Sequence, residues 1–264
     1  KRLGLCKSRR CLAPTACPNM QVSHTEYLDI LRKLRNIDGI KRVFIRSGIR
    51  FDYLMEDESD EFLQELVKYH ISGQLRVAPE HCSAAVLDKM GKPHIEVYKK
   101  FCDKFYKYTN QVHKDQYVVP YLMSSHPGST LKDAVELALF CKRENIHPKQ
   151  VQDFYPTPGT ISTSMFYTGL DPYTLKEVYV SKTESEKAMQ RALLQYFIPE
   201  NKPLVVKALI KAGRRDLIGN DKRCLVTPLA GQTSGGYKKS SNTKGGNGRK
   251  NRDKYAKYRR KNKK

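Results

Sequence analysis

Apolar positions along the chain fall into two patterns. Short, nearly continuous apolar runs occur at Val43-Phe44-Ile45, Leu75-Arg76-Val77-Ala78 and Val118-Val119-Pro120-Tyr121-Leu122-Met123. Each ends in a dense polar or glycine segment: Arg46-Ser47-Gly48-Ile49-Arg50-Phe51-Asp52, Pro79-Glu80-His81, and Ser124-Ser125-His126-Pro127-Gly128. Before and between them lie stripes at three- and four-residue spacing: Leu28, Leu31 and Leu34, then Phe62, Leu63, Leu66 and Val67, then Val97, Phe101, Phe105 and Tyr108. The runs predict strands buried on both faces and the stripes predict helices. Strand starts near 42, 74, 117 and 151 are spaced like βα units. The expected fold class is therefore α/β, as part of a parallel β/α barrel, with an open doubly wound sheet as the alternative. No G-x-G-x-x-G follows any strand, which weakens a dinucleotide-binding version of that alternative.

Local signals place the helix ends. Ser23-His24-Thr25-Glu26 has capping-box spacing before the first helix, and Gly39 is expected to end it. The second helix is expected from about Ser59 to Tyr69, a short one near 83–90, and one opened by Thr130 with Asp133. After Tyr155 the chain reads as irregular through Pro156, Pro158 and Gly159. Two helices follow, one with Met189, Ala192, Leu193 and Tyr196, the other with Pro203 in its first turn and Gly213 at its end. The expected organisation is a cysteine-rich segment at 1–22, the later part of a β/α barrel at 23–170, a small helical C-terminal domain at 171–230 and a disordered basic tail at 231–264.

Charge changes the picture mainly in that tail. The chain has 264 residues and a formal charge of +22. From Lys238 onward there are thirteen basic residues and one acid, Asp253, so +12 of the charge sits there. Its two readings are an RNA or ribosome contact through phosphate attraction and a solvated, solubilising tail. No apolar run approaches a membrane span and no signal-peptide pattern is visible, so no membrane is expected. Seven cysteines, an odd count without secretory features, point to a reducing, cytoplasmic location. The chain begins with Lys, which reads as a fragment or processed product.

Several residues carry candidate chemistry. Cys6, Cys11 and Cys17 offer three thiolates for zinc or an iron–sulfur cluster, with His24 as the nearest imidazole; the plain alternative is three free thiols. Ser47 and Arg50 supply a hydroxyl and a fixed fork for carboxylate or phosphate, with Gly48 clearing the backbone; a turn whose Arg50 and Asp52 face solvent or pair locally is the alternative. Glu80 and His81 suit a ribose, an amino group or proton transfer, against a satisfied structural pair. His126, fixed by Pro127, suits a pocket wall, against a simple strand-to-helix turn. Phe154, Tyr155, Phe166 and Tyr167 are candidates to stack on a base or to close a barrel rim.

Taken together these blocks resemble a known family. Cys6-x4-Cys11-x5-Cys17-Pro18-x-Met20, Ser47-Gly48-Ile49-Arg50-Phe51-Asp52, Ala78-Pro79-Glu80-His81, His126-Pro127-Gly128, Phe154-Tyr155-Pro156-x-Pro158, Met165-x-Tyr167-Thr168-Gly169, and Leu217-Ile218-Gly219 with Cys224-Leu225-Val226 are similar to the C-terminal portion of YgiQ-type radical S-adenosylmethionine (SAM) proteins. The resemblance covers roughly residues 3–228 in order. It implies the C-terminal half of a partial (β/α) radical-SAM-type barrel. It also implies a [4Fe–4S] cluster, bound through an upstream C-x3-C-x2-C, that acts on SAM to give a 5′-deoxyadenosyl radical. None of the seven cysteines here has that spacing, so the fragment alone is expected to be inactive. Ser47, Arg50, Glu80 and His126 become the expected SAM or substrate contacts. Arg50 would hold a carboxylate, and Glu80 a hydroxyl or amino group. Cys6, Cys11 and Cys17 would carry an auxiliary cluster, zinc or nothing. The rival from another class is a non-catalytic nucleic-acid-binding protein with a cysteine metal site and a basic arm.

Overall fold

The computed structural model describes residues 6, 10–229 and 231. The expected disordered tail at 231–264 therefore lies, Gly231 apart, outside the described residues. In chain order the elements are α1 (Thr25–Arg35), α2 (Phe51–Leu54), α3 (Glu61–Glu65) continuing as a π-helical turn (Leu66–His70), β1 (Gln74–Glu80), α4 (Ala84–Met90), α5 (Ile95–Gln111), β2 (Tyr117–Ser124), α6 (Leu131–Arg143), β3 (Gln152–Asp153), α7 (Ile161–Thr168), α8 (Glu184–Leu194) and α9 (Lys202–Lys211). The fold is mixed α/β with a small open sheet in the order β1-β2-β3. β2 and β3 run parallel, with Met123 opposite Gln152 and Ser124 opposite Asp153. The described residues fall into two compact units, one within Lys1–Glu80 and Gly91–Tyr121, the other within His81–Met90 and Leu122–Lys264.

In the first unit the core follows from the helical stripes. α5 buries Ile95, Tyr98, Phe101, Cys102, Phe105, Tyr108 and Thr109, successive turns of one face. Phe101 packs against Phe51 at 5.8 Å and against Phe105 at 6.2 Å, with the rings tilted at 44° and 32°, and each buried ring contributes roughly 2–3 kcal/mol. α1 buries Leu28 and Leu31 while Leu34 stays exposed. The expected capping box at its start does not form. His24 occupies the cap, stacked on Phe62 at 4.4 Å, and its N–H donates to Asp57 Oδ2 at 3.1 Å. Asp57 thus takes the His24 N–H, one residue on from the Ser23 N–H that Glu26 was expected to take. The helix ends at Arg35, ahead of the turn at Gly39.

The strand expected at 42–48 is also corrected. That segment has no regular secondary structure and joins no ladder among the described residues; Ile45 N–H donates to His70 O and, just past it, Ile49 N–H to Arg76 O. Two isolated bonds do not make a strand, although Val43, Ile45 and their neighbours have the apolar run of one. β1 and the start of β2 are joined where Tyr117 N–H donates to Gly73 O at 2.8 Å.

In the second unit α6, α8 and α9 pack on one another around Val135, Ala138, Met189, Leu193, Val205 and Leu209. α6 starts with a formed capping box: Thr130 Oγ1 accepts the Asp133 N–H and Asp133 Oδ2 accepts the Thr130 N–H. α9 carries Pro203 in its first turn and stops before Gly213, whose φ of +73° suits glycine. The stretch expected to be irregular contains α7, capped by Thr160 and ended by left-handed Gly169. Flanking prolines and glycines hid a two-turn helix.

Candidate functional site

In the first unit the site residues lie on β1 and on the segment that lies against it. Glu80 ends β1 with φ at +67°, a backbone conformation that side chains other than glycine rarely take. Its side chain is only 13% exposed. Oε1 accepts from Lys92 Nζ at 3.3 Å, and Lys92 also donates to Ala78 O at 2.7 Å. Oε2 is buried with no hydrogen-bond partner. Burial pushes the Glu80 carboxyl above the ordinary range, against the pull of Lys92. The Tyr121 phenol is raised as well, by burial first and by Glu80 second. Glu80 thus combines a strained backbone with a buried carboxylate oxygen that no donor among the described residues satisfies.

Gly48 and Ile49 lie against β1 at Arg76, whose carbonyl accepts the Ile49 N–H at 3.2 Å. A Cβ on Gly48 would stand 3.3 Å from Arg76 O. The glycine therefore serves close backbone packing, not only the ligand approach expected of it. Ser47 is exposed. Arg50 is 71% exposed and forks onto buried Asp52, Nε to Oδ1 at 3.1 Å and Nη2 to Oδ2 at 2.6 Å. Nη1 is not used in that pair.

The N-terminal cysteines are only partly gathered. Cys17 N–H donates to Cys11 O at 2.7 Å, closing a loop between them. Cys6 and Cys11 are exposed and Cys17 is half-buried. Among the described residues no three His, Cys, Asp or Glu side chains are grouped as a metal site. His24 Nδ1 meets Asp57 Oδ2 at 2.6 Å.

In the second unit His126 is buried and both ring nitrogens have partners. Nδ1 is 2.8 Å from Pro127 O, and Nε2 is 2.9 Å from Ser162 Oγ. Phe154 meets the ring edgewise at 5.1 Å. Burial pushes His126 down to about 4, against the Pro127 carbonyl. Burial likewise holds His81 down to about 4, with Asp133 opposing and His126 adding to the shift. His81 Nδ1 accepts the Ser83 N–H at 3.0 Å, and Ser83 Oγ donates to Asp133 at 2.7 Å. Tyr155 and Tyr167 are exposed, whereas Phe154 and Phe166 pack together at 5.7 Å. Burial pushes the Cys82 and Cys141 thiols up to about 12, which fits inert thiols.

Sequence reasoning missed Lys92, Ser125 and Gln190. Lys92 sits in a Gly-Lys-Pro turn twelve residues after Glu80, and only the fold brings them together. Ser125, at φ +61°, buries an Oγ without a partner. Gln190 is fully buried and accepts from Ser125 N–H and Ser129 Oγ while donating to Ser129 O and Ser181 Oγ, at 2.8–3.0 Å.

This order of blocks can be set against known proteins. A UPF0313 protein of Clostridium perfringens (strain 13) is 55% identical over 251 residues, 95% of this chain and 38% of that protein. A UPF0313 protein of Clostridium botulinum (strain 657) is 58% identical over 223 residues, 84% of this chain and 35% of that protein. The chain's homologues are UPF0313 proteins. UPF0313 is the YgiQ-like family, so the similarity of the aligned sequences agrees with the resemblance carried by the motifs. The chain spans little more than a third of the length of these UPF0313 relatives. A domain of unknown function, DUF3362, matches residues 149–264. No helix among the described residues is long and apolar enough to cross a membrane.

Proposed function

We propose that this chain is the C-terminal part of a radical SAM enzyme whose substrate is not identified. When bound in the longer protein, a [4Fe–4S] cluster would cleave SAM and supply a 5′-deoxyadenosyl radical. None of the seven cysteines has the C-x3-C-x2-C spacing, so the proposal assigns that cluster to residues beyond this chain. It takes the β1-β2-β3 sheet as part of a β/α barrel and places the protein in the cytoplasm. Cys6, Cys11 and Cys17 remain candidate ligands for an auxiliary cluster or zinc.

The observation that carries the reading is Glu80. Its buried, unpartnered Oε2 at the carboxyl end of a parallel strand is where such folds place ligand contacts. In this proposal Oε2 accepts a hydrogen bond from a ribose hydroxyl or from the amino group of SAM, and Lys92 holds Oε1. Arg50 offers Nη1 to a carboxylate while Asp52 steadies the rest of its fork. Ser47 is an exposed hydroxyl on the same segment. His126, the fourth expected contact, has both ring nitrogens on Pro127 O and Ser162 Oγ, so in this proposal it holds the end of β2 as a neutral ring in place of contacting SAM through a ring nitrogen. The UPF0313 homologues support the family on which this reading depends; their names do not state a chemistry.

The test is equilibrium dialysis of SAM against the longer natural protein. Glu80→Ala is expected to weaken binding by roughly tenfold or more, the effect of losing a hydrogen bond to a charged group. Unchanged affinity would remove Glu80 from the site and with it the main support for the reading.

A further inference from the structure

We propose that the first unit carries a binding site for single-stranded nucleic acid in the cavity at the amino ends of β1 and β2. The cavity has a volume of about 540 Å³, room for one nucleotide. Arg35, Lys41, Arg42, Lys68 and Lys114 line it, and Asp115 is the one acidic residue of the lining. The Asp115 carboxylate already accepts from the Tyr117 hydroxyl.

A basic face is ordinary on a chain of charge +22; what distinguishes this one is which of its cations already have partners. Three of the five cations have internal roles. Arg35 pairs with Glu65 and lies 3.8 Å over the Tyr69 ring; Lys68 approaches the same ring at 5.0 Å; Lys114 donates to Lys68 O. Lys41 and Arg42 have no hydrogen-bond or ion-pair partner among the described residues. They stand next to each other in the chain, pointing like charge at a concave wall. That arrangement repels itself unless an anion is present, and a concave cationic wall concentrates polyanions.

The aromatic groups select the kind of anion. Phe44 lines the cavity and is 43% exposed, two residues after Arg42. Tyr69 forms another part of the wall. Exposed aromatic faces among unpaired cations suit a strand whose phosphates meet Lys41 and Arg42 and whose bases stack on Phe44. A duplex, with its bases already stacked, cannot use Phe44 in that way. The site is separate from Glu80, which lies at the other end of β1, roughly 20 Å away at about 3.3 Å per residue. The proposal rests on none of the basic residues from Lys238 onward.

The experiment uses the full chain and a twelve-nucleotide RNA carrying 4-thiouridine. Ultraviolet crosslinking followed by peptide mass spectrometry is expected to mark Phe44 or Tyr69. Fluorescence anisotropy should show that Lys41→Glu with Arg42→Glu weakens binding at least tenfold. The slope of log affinity against log salt should shrink by roughly 1.4, about 0.7 for each lost phosphate contact. Phe44→Ala should cost about five- to tenfold with its thermal melt unchanged. Crosslinks found only beyond residue 230 would overturn the proposal. So would an affinity for the double variant within twofold of the parent, or an unchanged affinity in Phe44→Ala with inorganic polyphosphate competing as well as RNA.

Discussion

The ends of β1 and β2 present similar sequences and different chemistry. At the end of β1, Glu80 sits in a left-handed conformation with one oxygen on Lys92 and the other buried without a partner. At the end of β2, His126 spends both ring nitrogens inside its own unit, on Pro127 and Ser162, and Gln190 takes up the Ser125 N–H. The group left without a partner there is the neutral Ser125 hydroxyl. An unsatisfied carboxylate oxygen costs more than an unsatisfied hydroxyl. Whether a strand-end side chain is left free to meet a ligand therefore depends on whether the fold satisfies it, and the type of residue does not decide which.

The comparison breaks most easily on pH, where the largest effect is expected. His81 and His126 are held down to about 4 by burial, below their ordinary value of 6.5. The unfolded chain therefore binds more protons than the folded one between pH 6.5 and 4. Stability is full above pH 6.5 and falls as the pH drops through that window, on the order of 3 kcal/mol for each imidazole. Urea midpoints followed by circular dichroism from pH 7 to 4 should show the decline. His81→Asn and His126→Asn should each flatten it, whatever their stability at pH 7. A decline of the same slope in both variants would mean that these rings are not the buried, neutral pegs described above.

Gln190 comes next. Its amide makes four hydrogen bonds in a fully buried position, and Gln190→Ala would strand the Ser125 N–H and the Ser129 carbonyl. The expected loss is about 3–5 kcal/mol at pH 7 by urea titration. A loss below 1 kcal/mol would show that the end of β2 is held by something other than this amide. The end of β2 would then be no better satisfied than the end of β1.

What the sequence made legible follows the range of the interactions. α5 and α6 could be read in place because apolar spacing, and for α6 the Thr130–Asp133 cap, act within a few residues. The box at Ser23–Glu26 used the same rule and failed, because Asp57, thirty-three residues away from His24, supplies the acceptor. The 42–48 run looked like a strand because its apolar content is that of one; ladder partners are a tertiary matter and it has only two stray bonds. Glu80 was visible as a strand-end acid, but neither Lys92 nor the strained backbone was. Both arise from where the chain turns after β1. The arginine fork was visible at Arg50, and so, as the alternative reading, was its local pairing with Asp52, which lies only two residues away and is the arrangement found.

The smallest effect is also the most discriminating. The Glu80 carboxyl is raised, so its ionised form is less favourable in the fold than in the unfolded chain. Any stability Glu80 contributes is present below its unfolded value and lost as pH rises through the folded one. Glu80→Gln abolishes that loss, keeps the shape, and leaves Lys92 its bond to Ala78 O. At pH 7 the variant should be unchanged or more stable by up to about 1 kcal/mol, read as a urea midpoint. A residue selected to hold the fold would behave in the opposite way, with Glu80→Gln destabilising by about 2 kcal/mol or more through loss of the Lys92 pair. That result would place Glu80 beside His126 as a second peg. A neutral or positive shift would instead leave a buried charge that the fold does not need, kept at a cost that only a ligand offsets.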